Sequence, residues 1–407
     1  MPEHAPLPLT LGQKSVWRDI SSLTPQDRSG VTLSASVPLP SGIEDSDVRT
    51  ALSLMMQRHE VLRTRFSPEG QRGPVHQTVC PPEGVEIPLT HGSAKDASVP
   101  SPASADIEVV GGLPWRATIN RDDQGQSHLE LRIHHLATDY QGLTLLADDV
   151  HDALTKPGAQ TIPSTGPRTI LALESGEREK KITSRAVNRW QDILTRAVPT
   201  HRLVRQQNVL EGKLRSAQLT AVVRERSAKC GAPPSVLLLD AYCAAVLEMD
   251  GPEDRLIRTM VSNRFDLPRQ RIVASMNQWS PLLVNRNTHS LAETARKAMF
   301  AARYGVYDAD EVERVLLSTG HQRDALDHAP SFNYVSAPVS SRSRAADATP
   351  RRELTFTAIG VPVGPTHYLR AVMTSELSLT LRIPDSDSSR ATAEQLLEHI
   401  ERRVLQA

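Results

Sequence analysis

Between Leu129 and Gly142 the chain reads Leu-Glu-Leu-Arg-Ile-His-His-Leu-Ala-Thr-Asp-Tyr-Gln-Gly, a strand that ends in two histidines and turns into a helix. Leu129, Leu131 and Ile133 alternate with Glu130, Arg132 and His134, which is the two-residue period of a strand with one face buried. Leu143, Leu146, Val150 and Leu154 then recur at helical spacing on one face. By strand parity His135 continues the apolar face and His134 points the other way. A histidine held in a desolvated place favours its neutral form, which can accept a proton. Two readings of the pair stand at this stage: histidines that merely pack or face solvent, and a base at a strand end. Asp139 sits just before the helix, where capping the first free amides would account for it alone. A metal site is not indicated, because adjacent strand residues face opposite ways and no second His/Cys/Glu cluster has ligand spacing.

At 407 residues the chain is too long for one ordinary core and suits two domains of roughly 200 residues each. The apolar share of 39% reads as globular, and 47 basic against 47 acidic side chains leave no net charge. Neither a nucleic acid nor an anionic membrane is suggested as a partner. Cys80, Cys230 and Cys243 are an odd set without metal spacing, which reads as reduced thiols in a cytoplasmic protein. The start, Met1-Pro-Glu-His-Ala-Pro, lacks the basic and apolar regions of a signal peptide. The most apolar window, Val236 to Met249, carries Asp240 and Glu248 and is too short to span a membrane.

In chain order, Leu9 to Trp17 reads as a capped amphipathic helix, Val31 to Val37 as a strand, and Asp45 to Arg63 as a helix with Val48, Leu52, Met55 and His59 on its apolar stripe. His59 is therefore read as structural. Val75 to Val79 is a strand, and Pro81 to Ala105 a surface loop. Lys156 to Gly176 is rich in Pro, Thr, Ser and Gly and is where the domain boundary is placed, giving domains 1–170 and 171–407. Asn188 to Leu194 and Pro234 to Met249 read as helices, the second as core with Cys243 an inert apolar residue. Strands follow at Arg258 to Val261, Met276 to Val284, Phe332 to Tyr334 and Leu377 to Ile383, and a helix from Ala391 to Leu405 closes the chain. Ala337 to Arg352, with three serines and four arginines, is expected to be a mobile loop.

These segments carry a family resemblance. His134-His135-Leu136-Ala137-Thr138-Asp139 resembles the HHxxxD signature of nonribosomal peptide synthetase condensation domains, shared with chloramphenicol acetyltransferase-like acyltransferases. Gly112-Leu113-Pro114-Trp115-Arg116-Ala117 is similar to the family's segment before that strand, Leu9 to Trp17 to its opening, and Arg58 to Phe66 to its RHExLRTxF segment. Trp190 with Leu194, Ala228 to Gly231, Ser262-Asn263-Arg264-Phe265, Met276 to Val284 and Phe332-Asn333-Tyr334 resemble later family elements, in the family's order. Two departures stand out. Tyr140 follows the aspartate where the family has Gly, with Gly142 two residues later, and Asn277 or Gln278 stands for the family's Asn beside a bulky Trp279.

The resemblance implies an α/β fold of two chloramphenicol acetyltransferase-like subdomains, arranged as a V-shaped pseudo-dimer with a channel between them. It implies His135 as the catalytic base with His134 and Asp139 supporting it, and offers Arg264 as the ion-pair partner of Asp139, tying the histidine turn to the second subdomain. Tyr140, Gly142, Asn277, Gln278 and Trp279 become candidates for lining the channel. The implied reaction moves an acyl or aminoacyl group from a carrier-protein thioester to an amine, free or carrier-bound, in natural-product biosynthesis. The chain binds no cofactor of its own; the phosphopantetheine arm of a partner carrier brings the substrate, and with no adenylation or carrier segment in 407 residues the partners act in trans. Arg202 to Arg205 and Arg342 to Arg352 are candidate docking arginines. The alternatives are an O-acyltransferase that makes an ester from an alcohol with a carrier-bound or CoA-bound donor, and a catalytically silent module that only docks a carrier. No G-x-S-x-G elbow is present, so no acyl-enzyme is required.

Overall fold

By its internal contacts the chain divides into two units, Met1–Lys181 with Ser262–Gln278, and Ile182–Val261 with Trp279–Ala407. This division comes from a computed structural model that describes residues 5–21, 23–68, 75–92, 107–121, 126–156, 165–198, 208–249, 251–322, 325–336, 352–360 and 365–406. Residues 202–205 and 337–351, which hold the expected docking arginines other than Arg352 and most of the expected mobile loop, lie outside the described residues, as does 93–105 of the expected surface loop.

The elements run in the order β1 (Leu7–Pro8), α1 (Leu11–Ser21), α2 (Pro25–Ser29), β2 (Thr32–Pro38), α3 (Asp45–Arg58), β3 (Thr64–Pro68), β4 (Val75–Val79), β5 (Leu89–His91), β6 (Trp115–Arg121), β7 (Ser127–His134), α4 (Tyr140–Thr155) and α5 (Pro167–Glu174). They continue with α6 (Glu177–Arg196), β8 (Val209–Arg215), α7 (Ala217–Cys230), α8 (Pro234–Glu248), β9 (Asp254–Val261), α9 (Leu267–Gln270), β10 (Gln278–Asn285), α10 (Leu291–Arg303), α11 (Ala309–Ser318), β11 (Ser331–Ser336), β12 (Glu353–Ile359), β13 (Tyr368–Met373), β14 (Leu377–Pro384) and α12 (Ser389–Gln406).

The first unit is built on a four-stranded sheet, β2-β7-β6-β5, and a smaller one, β1-β4-β3. β7 is central, antiparallel to β2 through Leu33↔Ile133 and to β6 through Trp115↔Ile133. Its odd residues Leu129, Leu131 and Ile133 are fully buried with Val48, Leu52, Met55, Leu143, Leu146 and Val150, so one strand face and the apolar stripes of α3 and α4 make one core. Trp115, 1% exposed, donates its indole N–H to the Leu62 carbonyl at 2.7 Å.

Three readings of this half are corrected. α3 ends at Arg58 because His59 takes extended backbone angles, after which Glu60–Arg63 forms one tighter helical turn. Leu89–His91 is no loop but an edge strand parallel to β6. The Pro-rich linker contains α5, anchored by the buried Ile170 and by the Arg168 amide on Glu60 Oε2 at 3.1 Å.

The second unit carries a seven-stranded sheet in the order β10-β9-β11-β13-β14-β8-β12. Leu369, Ala371, Leu377, Leu379, Leu381, Leu214 and Phe332 pack from it against α8, α12 and α7. α8 is buried all round from Val236 to Leu247, as its uniformly apolar sequence requires. Its one acidic residue in that span, Asp240, takes hydrogen bonds from Thr294 at 2.9 Å and pairs with His289 at 3.2 Å. Among the described residues no single helix is long and apolar enough to cross a membrane.

The first unit ends at Lys181 rather than at 170, and it takes back Ser262–Gln278 from between two strands of the second unit. The reason is apolar: Ile272, Ala274 and Met276 bury with Ile170, and Val273 joins the first core.

α7 stops at Gly231, which caps it in the left-handed region at φ 70° with its amide on the Ser227 carbonyl. A Cβ there would meet nothing within 4 Å. Gly231→Ala is therefore expected to cost about 1 kcal/mol from backbone strain alone, read as a shift of the denaturation midpoint at unchanged slope; no shift would mean another residue can serve as the cap.

Candidate active site

β7 ends at His134, and the backbone turns through His135, Leu136 and Ala137 before α4 begins. The His134 amide donates to the Pro114 carbonyl at 2.8 Å and the His135 amide to the Val31 carbonyl at 2.9 Å. Strand parity therefore stops one residue early, and the expected order of burial is reversed: His134 is fully buried, His135 half-buried. His134 Nδ1 accepts the Leu136 amide at 3.1 Å. Its proton must then sit on Nε2, which donates to the Arg28 carbonyl at 2.9 Å. Burial lowers its pKa from 6.5 to about 4, against the opposing pull of the Arg28 carbonyl. His134 is thus a neutral, doubly bonded strut beneath the turn that presents His135.

Asp139 both caps α4 and forms an ion pair, so its two readings are not exclusive. Its Oδ1 accepts the Gly142 amide at 2.8 Å and Arg264 Nη2 at 2.8 Å, and its Oδ2 accepts the Met276 amide at 3.1 Å. Arg264 also donates to the carbonyls of Arg269 at 2.8 Å, Ile272 at 2.7 Å and Ala274 at 3.0 Å. Both side chains are nearly sealed, at 1% and 3% exposure. The pair is internal to the first unit, because Arg264 belongs to the returning segment rather than to the second unit.

Arg264 is aimed by Asn263, which has φ 57° and is the one non-glycine residue with positive φ among the described residues. Asn tolerates that conformation better than other side chains. Asn263 Nδ2 in turn donates to the Met276 carbonyl at 3.0 Å and to Gln278 Oε1 at 3.2 Å. Sequence reasoning missed Asn263; its signal was an Asn directly before the arginine.

The other candidates are dispersed. Tyr140 is half-buried at the start of α4. Gly142 is buried, and a Cβ on it would stand 2.3 Å from Thr138 Oγ1 and 3.1 Å from the Ala274 backbone, so close packing accounts for this glycine. Gln278 is buried in the Asn263 network, whereas half-buried Asn277 stands beside it. Trp279 belongs to the second unit, where the Arg258 guanidinium lies 4.9 Å from its ring centre and Tyr368 packs edge-on at 6.3 Å. His59 Nε2–H donates to the Asp149 carboxylate of α4 at 2.9 Å, a second tie on that helix. Among the described residues no three His, Cys, Asp or Glu side chains converge on one point.

Removing one partner of so enclosed a pair leaves the other charge buried without compensation, so Asp139→Ala is expected to cost about 3–5 kcal/mol of folding free energy. Asp139→Asn should also be costly, since its amide nitrogen would face a second donor, the Met276 or the Gly142 amide. Equal denaturation midpoints for wild type and Asp139→Ala would refute this. His134 gives a separate pH signature. Because its folded pKa lies below the unfolded value, its contribution is present above pH 6.5 and is lost as pH falls through about 4. Between those limits wild type should lose about 3 kcal/mol more than His134→Asn, measured by denaturant titrations; parallel profiles would show that the ring is not held neutral.

The family model described as "Condensation domain" matches residues 4–356. Among curated proteins, the chain is 29% identical over 172 residues to a probable non-canonical nonribosomal peptide synthetase, CymA, of Salinispora arenicola, covering 42% of this chain and 2% of that protein. It is 25% identical over 283 residues to the phosphinothricin tripeptide synthetase PhsC of Streptomyces viridochromogenes, covering 64% of this chain and 26% of the relative. The chain therefore spans about a quarter or less of these relatives' lengths. Among solved structures, one described as the basis for condensation domain-mediated chain release from the enacyloxin polyketide synthase superposes with a TM-score of 0.76 at 17% identity, covering 100% of this chain and 84% of that one. With the histidine turn, the paired Asp139 and a family match over nearly its whole length, this chain belongs to the condensation-domain family.

Proposed function

We propose that the chain is an acyltransferase that joins an acyl or aminoacyl group, held as a thioester on a carrier protein's phosphopantetheine arm, to an amine. The observation that carries this reading is the turn itself: His135 is presented half-buried just past the strand end, above a neutral His134 and beside a sealed Asp139–Arg264 pair. The amine nitrogen attacks the thioester carbonyl carbon, a C–N bond forms, and the C–S bond then breaks. His135 takes or orients the proton leaving the amine, and the departing thiolate is protonated. General-base work of this kind contributes roughly 10²–10⁴-fold. Holding both substrates together supplies much of the rest. Asp139 and Arg264 do not touch substrate in this reading; they fix the turn.

The test is a purified assay with one amine acceptor and the same acyl group offered on a carrier protein and on a short soluble thiol. His135→Ala should lower turnover by at least about 10²-fold with the fold intact, and kcat/KM should strongly favour the carrier-bound donor, since docking helps to position the arm. Equal turnover by wild type and His135→Ala removes the catalytic assignment. A preference for acyl-CoA, or for an alcohol acceptor, replaces the carrier-dependent amide reaction with soluble acyl transfer or ester formation.

A further inference from the structure

We propose that Gly12, in the first turn of α1, is a positioning residue for the histidine turn, acting through the Ser275–Met276 backbone on the Asp139 carboxylate. The catalytic part of this inference rests on the proposed role of His135; the mechanical part does not.

Residues 274–276, an irregular strip of chain just before β10, supply Asp139 with backbone partners. The Asp139 amide donates to the Ala274 carbonyl at 3.2 Å, and the Met276 amide donates to Asp139 Oδ2 at 3.1 Å. Arg264 binds the same Ala274 carbonyl at 3.0 Å, and Asn263 binds the Met276 carbonyl at 3.0 Å. A displacement of the strip is therefore a displacement of the carboxylate's third donor and of one anchor of its cation.

Two helix starts grip this strip. Gly142 of α4 approaches the Ala274 backbone, its Cβ position lying 3.1 Å from Ala274 N and O. Gly12 comes closer still: a Cβ there would stand 2.4 Å from the Ser275 carbonyl oxygen, 2.7 Å from Met276 Cα and 3.0 Å from Ser275 C. These are backbone atoms, which cannot swing aside as a side-chain tip would. Gly12 has no positive φ, so the glycine is there for space and not for conformation.

α1 cannot simply back away. The Leu11 amide is bound by both Glu174 oxygens, at 3.1 and 3.2 Å. Gln13 and the buried Gln77 exchange amide hydrogen bonds at 3.0 and 2.8 Å, and Gln13 Oε1 also accepts the Thr10 amide at 2.9 Å. With the helix start tied on both sides of Gly12, an added methyl moves the 275–276 strip, and the Met276–Asp139 bond is the first to lengthen.

The test is a cycle of Gly12→Ala, Asp139→Asn and the double variant in the full chain, read by amide hydrogen exchange and by kcat and KM. In Gly12→Ala the Met276 amide should exchange about 10-fold faster or more while core amides such as Leu379 keep wild-type rates. Turnover should fall about 10-fold with KM within about 2-fold, and the double variant should lose no more than Asp139→Asn alone. Additive losses, or wild-type exchange at Met276, overturn the proposal. Should Gly12→Ala be insoluble, Gly12→Ala with Gln77→Ala lets α1 retreat from the strip: folded protein with Met276 exchange near the wild-type rate upholds the proposal, and insoluble protein again, or fast Met276 exchange with α1 released, overturns it. A chain with no transferase activity in any variant, yet with Met276 exchange coupled to Gly12, would sink the proposed reaction and leave the positioning role standing.

Discussion

The ion pair between Asp139 and Arg264 is the contact on which the first unit's organisation turns. Two buried charges cost several kcal/mol of desolvation each, and their attraction compensates only when the remaining hydrogen-bonding capacity is filled. Here the carboxylate accepts from Gly142, Arg264 and Met276, and the guanidinium also reaches three carbonyls. Those carbonyls and the Met276 amide all lie in the segment that follows β9. The first unit is therefore not complete when its own strands are complete: it still needs residues that arrive after the chain has run through β9. Without them Ile170 loses its packing partners, and the Asp139 carboxylate keeps only the Gly142 amide and faces no cation.

The same logic separates the two histidines. A side chain on β7's even face would ordinarily be half-exposed, as Glu130 and Arg132 are. His134 is buried instead because the α2 region lies over it and offers the Arg28 carbonyl. Both ring nitrogens are thereby committed, so this ring has no lone pair with which to take a proton. Past the strand end, where pairing no longer dictates direction, the next imidazole, His135, is half-buried rather than sealed.

Much of this was legible where one period governs one element. β4 was read at its observed bounds and β14 to within one residue, because alternating residues there meet a core on one face and not the other; α8 was legible because it is apolar all round. β8 and β12 went unread for physical reasons. β8 carries Gly212 at a position where Phe356 and Leu397 fill the space of a side chain, which breaks its apolar alternation, and β12 is an edge strand whose inner side chains, Leu354 and Phe356, are only half-buried. At the site, the strand, the turn and the helix were readable from spacing, and Arg264 from resemblance. The reversal of His134 and His135 was not, since it depends on where pairing stops. Nor was the role of 274–276, whose contribution is made by backbone groups that leave no mark in side-chain chemistry.

The departure at Tyr140 takes its meaning from the same geometry. A chain with Gly directly after the aspartate and this chain, with Gly two residues later, do not simply exchange one glycine for another. Gly142 answers a close approach: its missing side chain admits the Thr138 hydroxyl and the Ala274 backbone against the first turn of α4. Position 140 is the first residue of that helix and is half-buried, a place where a phenol ring is accommodated without disturbing the Asp139 cap. The carboxylate keeps all three of its donors with Tyr140 present. Any difference that Tyr140 makes to the reaction must therefore come from what its ring occupies next to the turn, and not from a changed backbone at Asp139.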